Sequence, residues 1–338
     1  MRAFVTGGTG LLGSSLVRVL LSEGHAVRAL ARSRDKAMQL LGDTRAEVVV
    51  GDLLDVPAFA SSLDGCDVLF HTAAYFREYY RPGADHWPQL ERVNVRGTLE
   101  LAEAAREHGV RRLIDTSTSG IIGLQPGGDA GDESTPPAPV VRSNLYFKSK
   151  LLVEERLRAY SAGSGLDVVS VLPGWMFGPG DAAPTAAGQF VLDFLARKIP
   201  AFPPGGVNVV DARDVAMGMV RAAAKGRSGE RYILGGDYLT LADILVELER
   251  VSGVPAPRVT VPYPVALGIA AVAQTWARLT RTETVMSVEG VRTLQAGLRV
   301  TSLKAQHELG ATFRPFDETL RDTVAWLRSR KQVAAAAA

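Results

Sequence analysis

The sequence predicts a doubly wound, parallel α/β sheet followed by a smaller C-terminal α+β lobe. Three observations carry that expectation: short β-branched runs alternate with helical patterns from residue 2 onward, a glycine-rich turn joins the first strand to the first helix, and the alternation loosens after Pro173. Arg2–Thr6 reads as the first strand, Leu11–Ser22 as a helix and Ala26–Ala31 as the second strand. Glu47–Val50, Asp67–His71, Arg111–Thr116 and Asp167–Leu172 continue the strands, with helices expected at Leu90–His108 and Leu145–Ser161. Beyond Pro173, Gly178-Pro179-Gly180, Pro184 and Pro203-Pro204-Gly205-Gly206 punctuate shorter elements. The expected division is therefore 1–173 for the first domain, 174–330 mostly for the second lobe with some segments returning to the first, and 331–338 for a tail. Within the lobe, Val215–Ala224, Leu241–Val251 and Asp317–Arg328 read as helices, and Arg231–Leu234 and Pro257–Val261 as short strands.

With 338 residues, 46% of them hydrophobic, the chain can bury a large core. Its 38 basic and 36 acidic residues leave a net charge of +2 with no block of one sign, which speaks against nucleic acid as a partner and for a small molecule. Cys66 stands alone, excluding an internal disulfide framework and a cysteine-rich metal site and agreeing with a reducing, cytoplasmic compartment; no metal site is expected. Polar Thr6–Gly10 interrupts the place where a secretory signal needs a continuous apolar run. The apolar stretch Val261–Ala277 holds two prolines and falls short of the roughly 20 residues of a membrane span, so no membrane partner is expected and the stretch reads as a core helix or a lid over a pocket.

The turn Thr6-Gly7-Gly8-Thr9-Gly10-Leu11-Leu12-Gly13 spaces its glycines as G-x-x-G-x-x-G between strand and helix. Without a Cβ the backbone can turn tightly and admit a pyrophosphate to the amides at the positive end of the helix, as in a Rossmann fold. Gly7, Thr9, Gly10, Leu11, Leu12 and Gly13 are its candidate cofactor contacts. After the second strand comes Arg32-Ser33-Arg34 where an NAD-binding chain would carry a carboxylate; the Arg32 guanidinium suits a 2′-phosphate, so NADP is preferred over NAD, which stays possible. The competing reading of Arg32 is a solvated arginine at a strand end. Asp52-Leu53 after the third strand and Thr72-Ala73-Ala74 after the fourth fall where loops reach a cofactor across the carboxyl edge of the sheet, the first pair beside the adenine.

Tyr146 and Lys150 are four residues apart and so share a helix face. A cation beside a phenol, whose ordinary pKa is about 10, favours the phenolate and makes the group a usable acid or base. The fifth strand ends in Asp115-Thr116-Ser117-Thr118-Ser119-Gly120, which brings hydroxyls to the same edge: one of them can hold a substrate carbonyl, and Thr116 and Ser117 are candidate cofactor contacts. A hydroxyl-rich turn bonding its own backbone is the competing reading.

These residues resemble extended short-chain dehydrogenases/reductases of the NAD-dependent epimerase/dehydratase family over nearly the whole chain. The resemblance rests on the Thr6–Gly13 turn, Asp52-Leu53, His71-Thr72-Ala73-Ala74, Val93-Asn94-Val95-x-Gly97-Thr98, Tyr146-x-x-x-Lys150 and Pro173-Gly174-x-x-x-Gly178-Pro179-Gly180. Within the family it is most similar to the dihydroflavonol-4-reductase-like and hopanoid-associated sugar epimerase-like group, whose pattern Gly229–Gly236 matches in the second lobe. The resemblance implies a catalytic hydroxyl at Thr118, with Ser117 as the alternative, since most members carry serine. It implies further that Pro173 and Gly174 border the nicotinamide, that Asn94 supports the active site, that Lys150 reaches the nicotinamide ribose, and that the chain pairs as a homodimer through the two long helices.

The family contains reductases, epimerases and dehydratases, so the reaction must be argued from particular residues. Dehydratases of this type carry acidic residues after the catalytic hydroxyl, whereas Thr118 is followed by Ser119-Gly120, which speaks against dehydration. Gly174-Trp175-Met176-Phe177 stands where many sugar-nucleotide epimerases place an asparagine, so Trp175 and Met176 suggest an apolar pocket. Tyr75, Phe76, Tyr79 and Tyr80 add aromatic surface after the fourth strand. The expectation is an NADPH-dependent reductase of a ketone or aldehyde. The alternatives are a nucleotide-sugar epimerase with tightly bound cofactor and a non-catalytic NADP-binding redox sensor, against which the intact Tyr146/Lys150 pair argues.

Overall fold

A computed structural model describes residues 1–76, 85–280 and 287–336, so Tyr79 and Tyr80 lie outside the described residues. The chain begins β1 (Arg2–Thr6), α1 (Leu11–Ser22), β2 (Ala26–Ala31), α2 (Arg34–Leu41), β3 (Glu47–Val50) and β4 (Val68–His71). It continues through α3 (Trp87–Gln89), a π-helical turn (Leu90–Gly97), α4 (Thr98–Glu107), β5 (Arg112–Thr116), α5 (Leu145–Ser164) and β6 (Asp167–Pro173). Then come β7 (Trp175–Phe177), α6 (Ala186–Leu195), β8 (Ala201–Phe202), β9 (Gly206–Asp211), α7 (Ala212–Lys225), β10 (Arg231–Leu234) and β11 (Asp237–Thr240). The last elements are α8 (Leu241–Ser252), β12 (Val259–Thr260), α9 (Tyr263–Thr280), α10 (Val288–Ala296) and α11 (Phe316–Ala336).

Seven parallel strands form one sheet in the order β10-β6-β5-β4-β1-β2-β3. Because successive side chains on a strand point to opposite faces, one strand feeds two cores. On β5, Ile114 joins the apolar layer beneath α1 and α7, while Leu113 joins the layer beneath α4 and α5. The chain moves outward from β1 to β3, then returns to the other side of β1 with β4. That reversal opens a crevice at the carboxyl ends of β1 and β4, where parallel sheets of this kind bind ligands.

The smaller lobe is built on a three-stranded sheet, β11-β9-β7, with α6, α8 and α11 packed around Phe177, Phe194 and Leu320. Two segments of 174–330 lie with the main sheet. Arg231–Leu234 pairs with β6 at the edge of the main sheet, and α7 lies on α1, because their apolar faces match the main core.

Two expectations are corrected. Leu90–His108 is not one regular helix, since a π turn occupies its first part. The stretch read as a core helix or lid is the helix α9, which buries Ala266 and Ala270 against Val291 of α10 but leaves Val272 71% and Leu279 77% exposed. Among the described residues no helix is long and apolar enough to cross a membrane, and no group of His, Cys, Asp and Glu is placed to hold a metal.

Candidate active site

The glycine turn is shaped by close approach. Gly7 has φ +68°, and a Cβ there would lie 2.8 Å from the Ala73 amide nitrogen; one on Gly13 would lie 2.1 Å from the Gly7 carbonyl oxygen. Thr6 fastens the turn to the next loop: its Oγ1 accepts from the amides of Thr72 and Ala73 (3.2 and 3.3 Å), while Thr72 Oγ1 donates to the Thr6 carbonyl (2.6 Å). Gly10 caps α1 without a side-chain hydrogen bond, and no acidic residue occupies the first turn. The amides at the positive end of α1 thus face the crevice without a competing carboxylate, which fits a dinucleotide pyrophosphate. Thr9 and Gly10 lie at the surface of this turn, and Leu11 and Leu12 are buried beneath it.

Arg32 is exposed directly after β2, and Ser33 beside it accepts from the Lys36 amide to start α2. Asp52 holds its own loop by accepting from the Leu54 amide at 3.0 Å, above buried Leu53. At the other end of the crevice, Pro173 closes β6 and Gly174 donates to the Leu234 carbonyl. A Cβ on Gly174 would meet the Gly235 and Asn208 carbonyl oxygens at 2.6 and 2.7 Å, so this crossing admits only glycine without displacement.

A chain of buried hydrogen bonds runs from β1 to the Tyr146 helix. Thr98 Oγ1 donates to the Asn94 carbonyl (2.8 Å), so its contact with His71 Nε2 (2.9 Å) must be donated by the ring. His71 Nδ1 is then the acceptor for Thr6 Oγ1 at 2.8 Å. Burial and the Lys150 cation push His71 down to about 3, keeping the ring neutral, as this arrangement requires.

Asn94, within the π turn, accepts from the Tyr75 amide (2.7 Å) and donates to the Tyr75 carbonyl and to Ser149 Oγ (both 3.2 Å). Ser149 Oγ in turn donates to the Tyr146 carbonyl at 2.8 Å. One side chain thereby ties the loop after β4 to the helix that carries Tyr146 and Lys150. The irregular turn has a local role here, as π turns at sites often do. Asn94→Ala leaves these buried groups unsatisfied and is expected to cost about 1–3 kcal/mol, measured as a lower denaturant midpoint.

Asn144 caps α5 by accepting from the Phe147 amide. The helix presents Tyr146 and Lys150 on its buried face, 8% and 3% exposed. The Tyr146 ring lies 4.9 Å from Phe76 and 6.0 Å from Phe147. Lys150 Nζ donates to the Thr116 carbonyl at 2.6 Å; burial lowers its pKa, and Asp115 and then Glu154 oppose that. Thr118 is half-buried, and its Oγ1 accepts from the Gly120 amide at 3.2 Å, which leaves its proton able to be donated outward. Thr116 and Ser117 carry buried hydroxyl oxygens with no hydrogen-bond partner.

Tyr75 and Phe76 pack in the same apolar cluster as Tyr146, Ile121, Phe147 and Val300. Trp175 and Met176 do not join it: Trp175 meets Phe177 edge-on and Phe190 at a tilt in the smaller lobe, and Met176 packs against the α1/α7 core. Sequence reading missed the bridging roles of His71 and Ser149, and it missed Glu154 and Trp87 altogether. Trp87 receives the Lys148 ammonium 4.5 Å from its ring centre. Only Glu154 left a usable signal, four residues beyond Lys150 on the same helix face.

The doubly wound sheet, the glycine turn at its switch point and the Tyr146/Lys150 helix define a dinucleotide-dependent enzyme. The profile of the NAD dependent epimerase/dehydratase family matches residues 3–235, and the chain belongs to that family as an NAD(P)-dependent extended short-chain dehydrogenase/reductase. It is 36% identical over 335 residues to "Sterol demethylase protein B" of Methylococcus capsulatus (strain ATCC 33009 / NCIMB 11132 / Bath), covering 98% of this chain and 100% of the relative. It is 35% identical to a provisionally named dihydroflavonol 4-reductase of Synechocystis sp. (strain ATCC 27184 / PCC 6803 / Kazusa), covering 98% and 95%. Among solved structures it resembles that of gox2253, with a TM-score of 0.81, 33% identity and coverage of 97% and 98%.

Proposed function

We propose that this protein is an NADPH-dependent reductase of a ketone or aldehyde group on an apolar substrate. The observation that carries the reading is the setting of Tyr146: a phenol one helical turn before Lys150, in ring contact with Phe76 and Phe147 and in one apolar cluster with Ile121 and Val300. Such a setting favours a hydrophobic ring or chain over a sugar nucleotide, whose diphosphate would be poorly solvated there. The names of the two relatives, one a sterol demethylase protein and one a dihydroflavonol reductase, support an apolar ring system as the substrate class.

The nicotinamide, when bound, supplies the hydride that reaches the carbonyl carbon. Thr118 donates a hydrogen bond to the carbonyl oxygen and fixes its direction, and the Tyr146 hydroxyl gives that oxygen its proton. The Lys150 cation favours the phenolate left behind and so makes Tyr146 a better acid. Gly7, Gly10 and Gly13 with the first amides of α1 take the pyrophosphate, and Asp52, Leu53, Thr72, Ala73, Ala74, Pro173 and Gly174 border the rest of the cofactor. The smaller lobe closes the substrate side.

The test is oxidation of NADPH and NADH by purified protein across ketones, aldehydes and sugar nucleotides. Turnover of an apolar carbonyl compound with NADPH supports the reading. Interconversion of sugar nucleotides without net cofactor oxidation overturns it in favour of an epimerase. Arg32→Ala is expected to raise KM for NADPH by about tenfold to a hundredfold, the worth of a charge-assisted bond to phosphate, and to leave KM for NADH unchanged. Equal effects on both cofactors would remove Arg32 from the phosphate site.

A further inference from the structure

We propose that Asp115 is a positioning residue for this reaction: shut in behind Lys150, with Glu154 beside it, its carboxylate holds the lysine in its charged form and so sets the pH range over which Tyr146 is an effective acid. The inference rests on the Tyr146/Lys150 chemistry of the reductase reading.

Strand register lines up a row of polar residues across the sheet. Thr6 pairs with His71, His71 with Asp115, Asp115 with Ser170 and Ser170 with Arg231, so one row of polar residues crosses β1, β4, β5, β6 and β10. Partners in register point to one face of the sheet, and the face is that of α4 and α5, since His71 meets Thr98 and Leu113 packs there. Most of the row has partners. His71 is bonded at both nitrogens, and Arg231 pairs with Glu154 at 3.0 Å and donates to the Glu133 carbonyl.

Asp115 is the exception. It is 0% exposed, and both carboxylate oxygens lack a hydrogen-bond partner, the Thr116 amide offering only a weak approach. A carboxylate left so is costly to fold, since its water is lost without replacement. Its pKa is raised to about 6: burial is the largest cause, the Lys150 cation opposes it, and Glu154 adds to it.

Among the described residues, the charged groups that act on Asp115 are Lys150 and Glu154 from α5; its neighbours in the polar row are neutral His71 on β4 and Ser170 on β6, with Arg231 on β10 beyond them. Arg231 is held by one oxygen of Glu154, whose Oε2 is buried without a partner. Lys150 spends one of its three protons on a neutral carbonyl. Among the described residues no carboxylate forms an ion pair with the lysine. Its charge is supported through space, by Asp115 first and Glu154 second, against the burial that would neutralise it. With Asp115 neutral or absent, Lys150 loses its proton at lower pH, and Tyr146 loses the cation that favours its phenolate.

The experiment is a pH titration of the full chain with 13Cε-labelled lysine, followed by NMR, the Lys150 signal being identified by its loss in Lys150→Arg. In Asp115→Asn the Lys150 midpoint is expected to fall by about one unit or more, the usual effect of removing a near opposite charge. Asp115→Glu is expected to restore most of it, and the alkaline limb of kcat should move down with the midpoint while KM for the cofactor changes little. If Asp115→Asn does not fold, Asp115→Ser makes the same measurement. An unchanged Lys150 midpoint in a folded variant overturns the inference, even where kcat falls, because a merely structural role lowers kcat at every pH alike. The titration needs no substrate, so failure to reduce any carbonyl overturns the reductase reading alone.

Discussion

Tyr146→Phe is expected to lower turnover by about 10²–10⁴-fold, the range lost when a positioned general acid is removed, while cofactor binding and fold persist. The ring itself is held by apolar contacts, 4.9 Å from Phe76 and 6.0 Å from Phe147, which phenylalanine keeps. The helix beneath it is started by Asn144 and tied to its neighbours through Ser149 and Asn94, none of which uses the phenol. NADPH consumption, cofactor titration by fluorescence and a thermal melt on one preparation separate these claims. A variant that melts normally, binds NADPH and still turns over carbonyl substrate at the parent rate would remove Tyr146 from the proton step.

Gly13→Val should damage fold and cofactor binding together. The first added carbon already lies 2.1 Å from the Gly7 carbonyl oxygen and 2.7 Å from its carbon, and both are backbone atoms that cannot swing aside. Either α1 moves away from the turn or the turn opens, and each displaces the amides that face the crevice. Overpacking of this kind costs about 1–3 kcal/mol or more, and the cofactor dissociation constant is expected to rise by at least about a hundredfold, equivalent to about 2.7 kcal/mol. Gly24→Ala is the matched control. Gly24 has φ +78° but nothing within 4 Å of an added Cβ, so its cost is local backbone strain of about 1 kcal/mol without loss of cofactor. Normal cofactor binding by a folded Gly13→Val protein would show that the pyrophosphate lies elsewhere.

Much of this molecule is legible from local pattern. The six strands β1–β6 fall within a residue or so of where β-branched runs place them; the inner strands are buried on both faces and so must be largely apolar along their length, while β3 at the sheet edge is more exposed. The glycine turn is readable because positive φ and backbone contact leave almost no other residue type, and Tyr146 and Lys150 because four residues make about one helical turn. Each of these signals is written in a short stretch of chain, even where, as at Gly7 against Ala73, the contact behind it is distant.

What the tertiary structure decided is pairing between distant segments. Arg231–Leu234 reads as a strand in any context, but only its register against β6 places it in the main sheet and puts Arg231 beside Glu154. Leu90–Gly97 has the composition of a regular helix; its π turn exists where Asn94 meets Tyr75 and Ser149, one segment 19 residues before it and the other 55 after it. The apolar row on α9 is the pattern of a core helix, yet whether such a row is covered depends on its neighbours, and here Val272 and Leu279 face outward. Asp115 shows the same limit most sharply. In sequence it is the first residue of a hydroxyl-rich run, and only the alignment of five strands and one helix turns it into a buried charge behind Lys150, because electrostatic neighbourhood is set by distance in space.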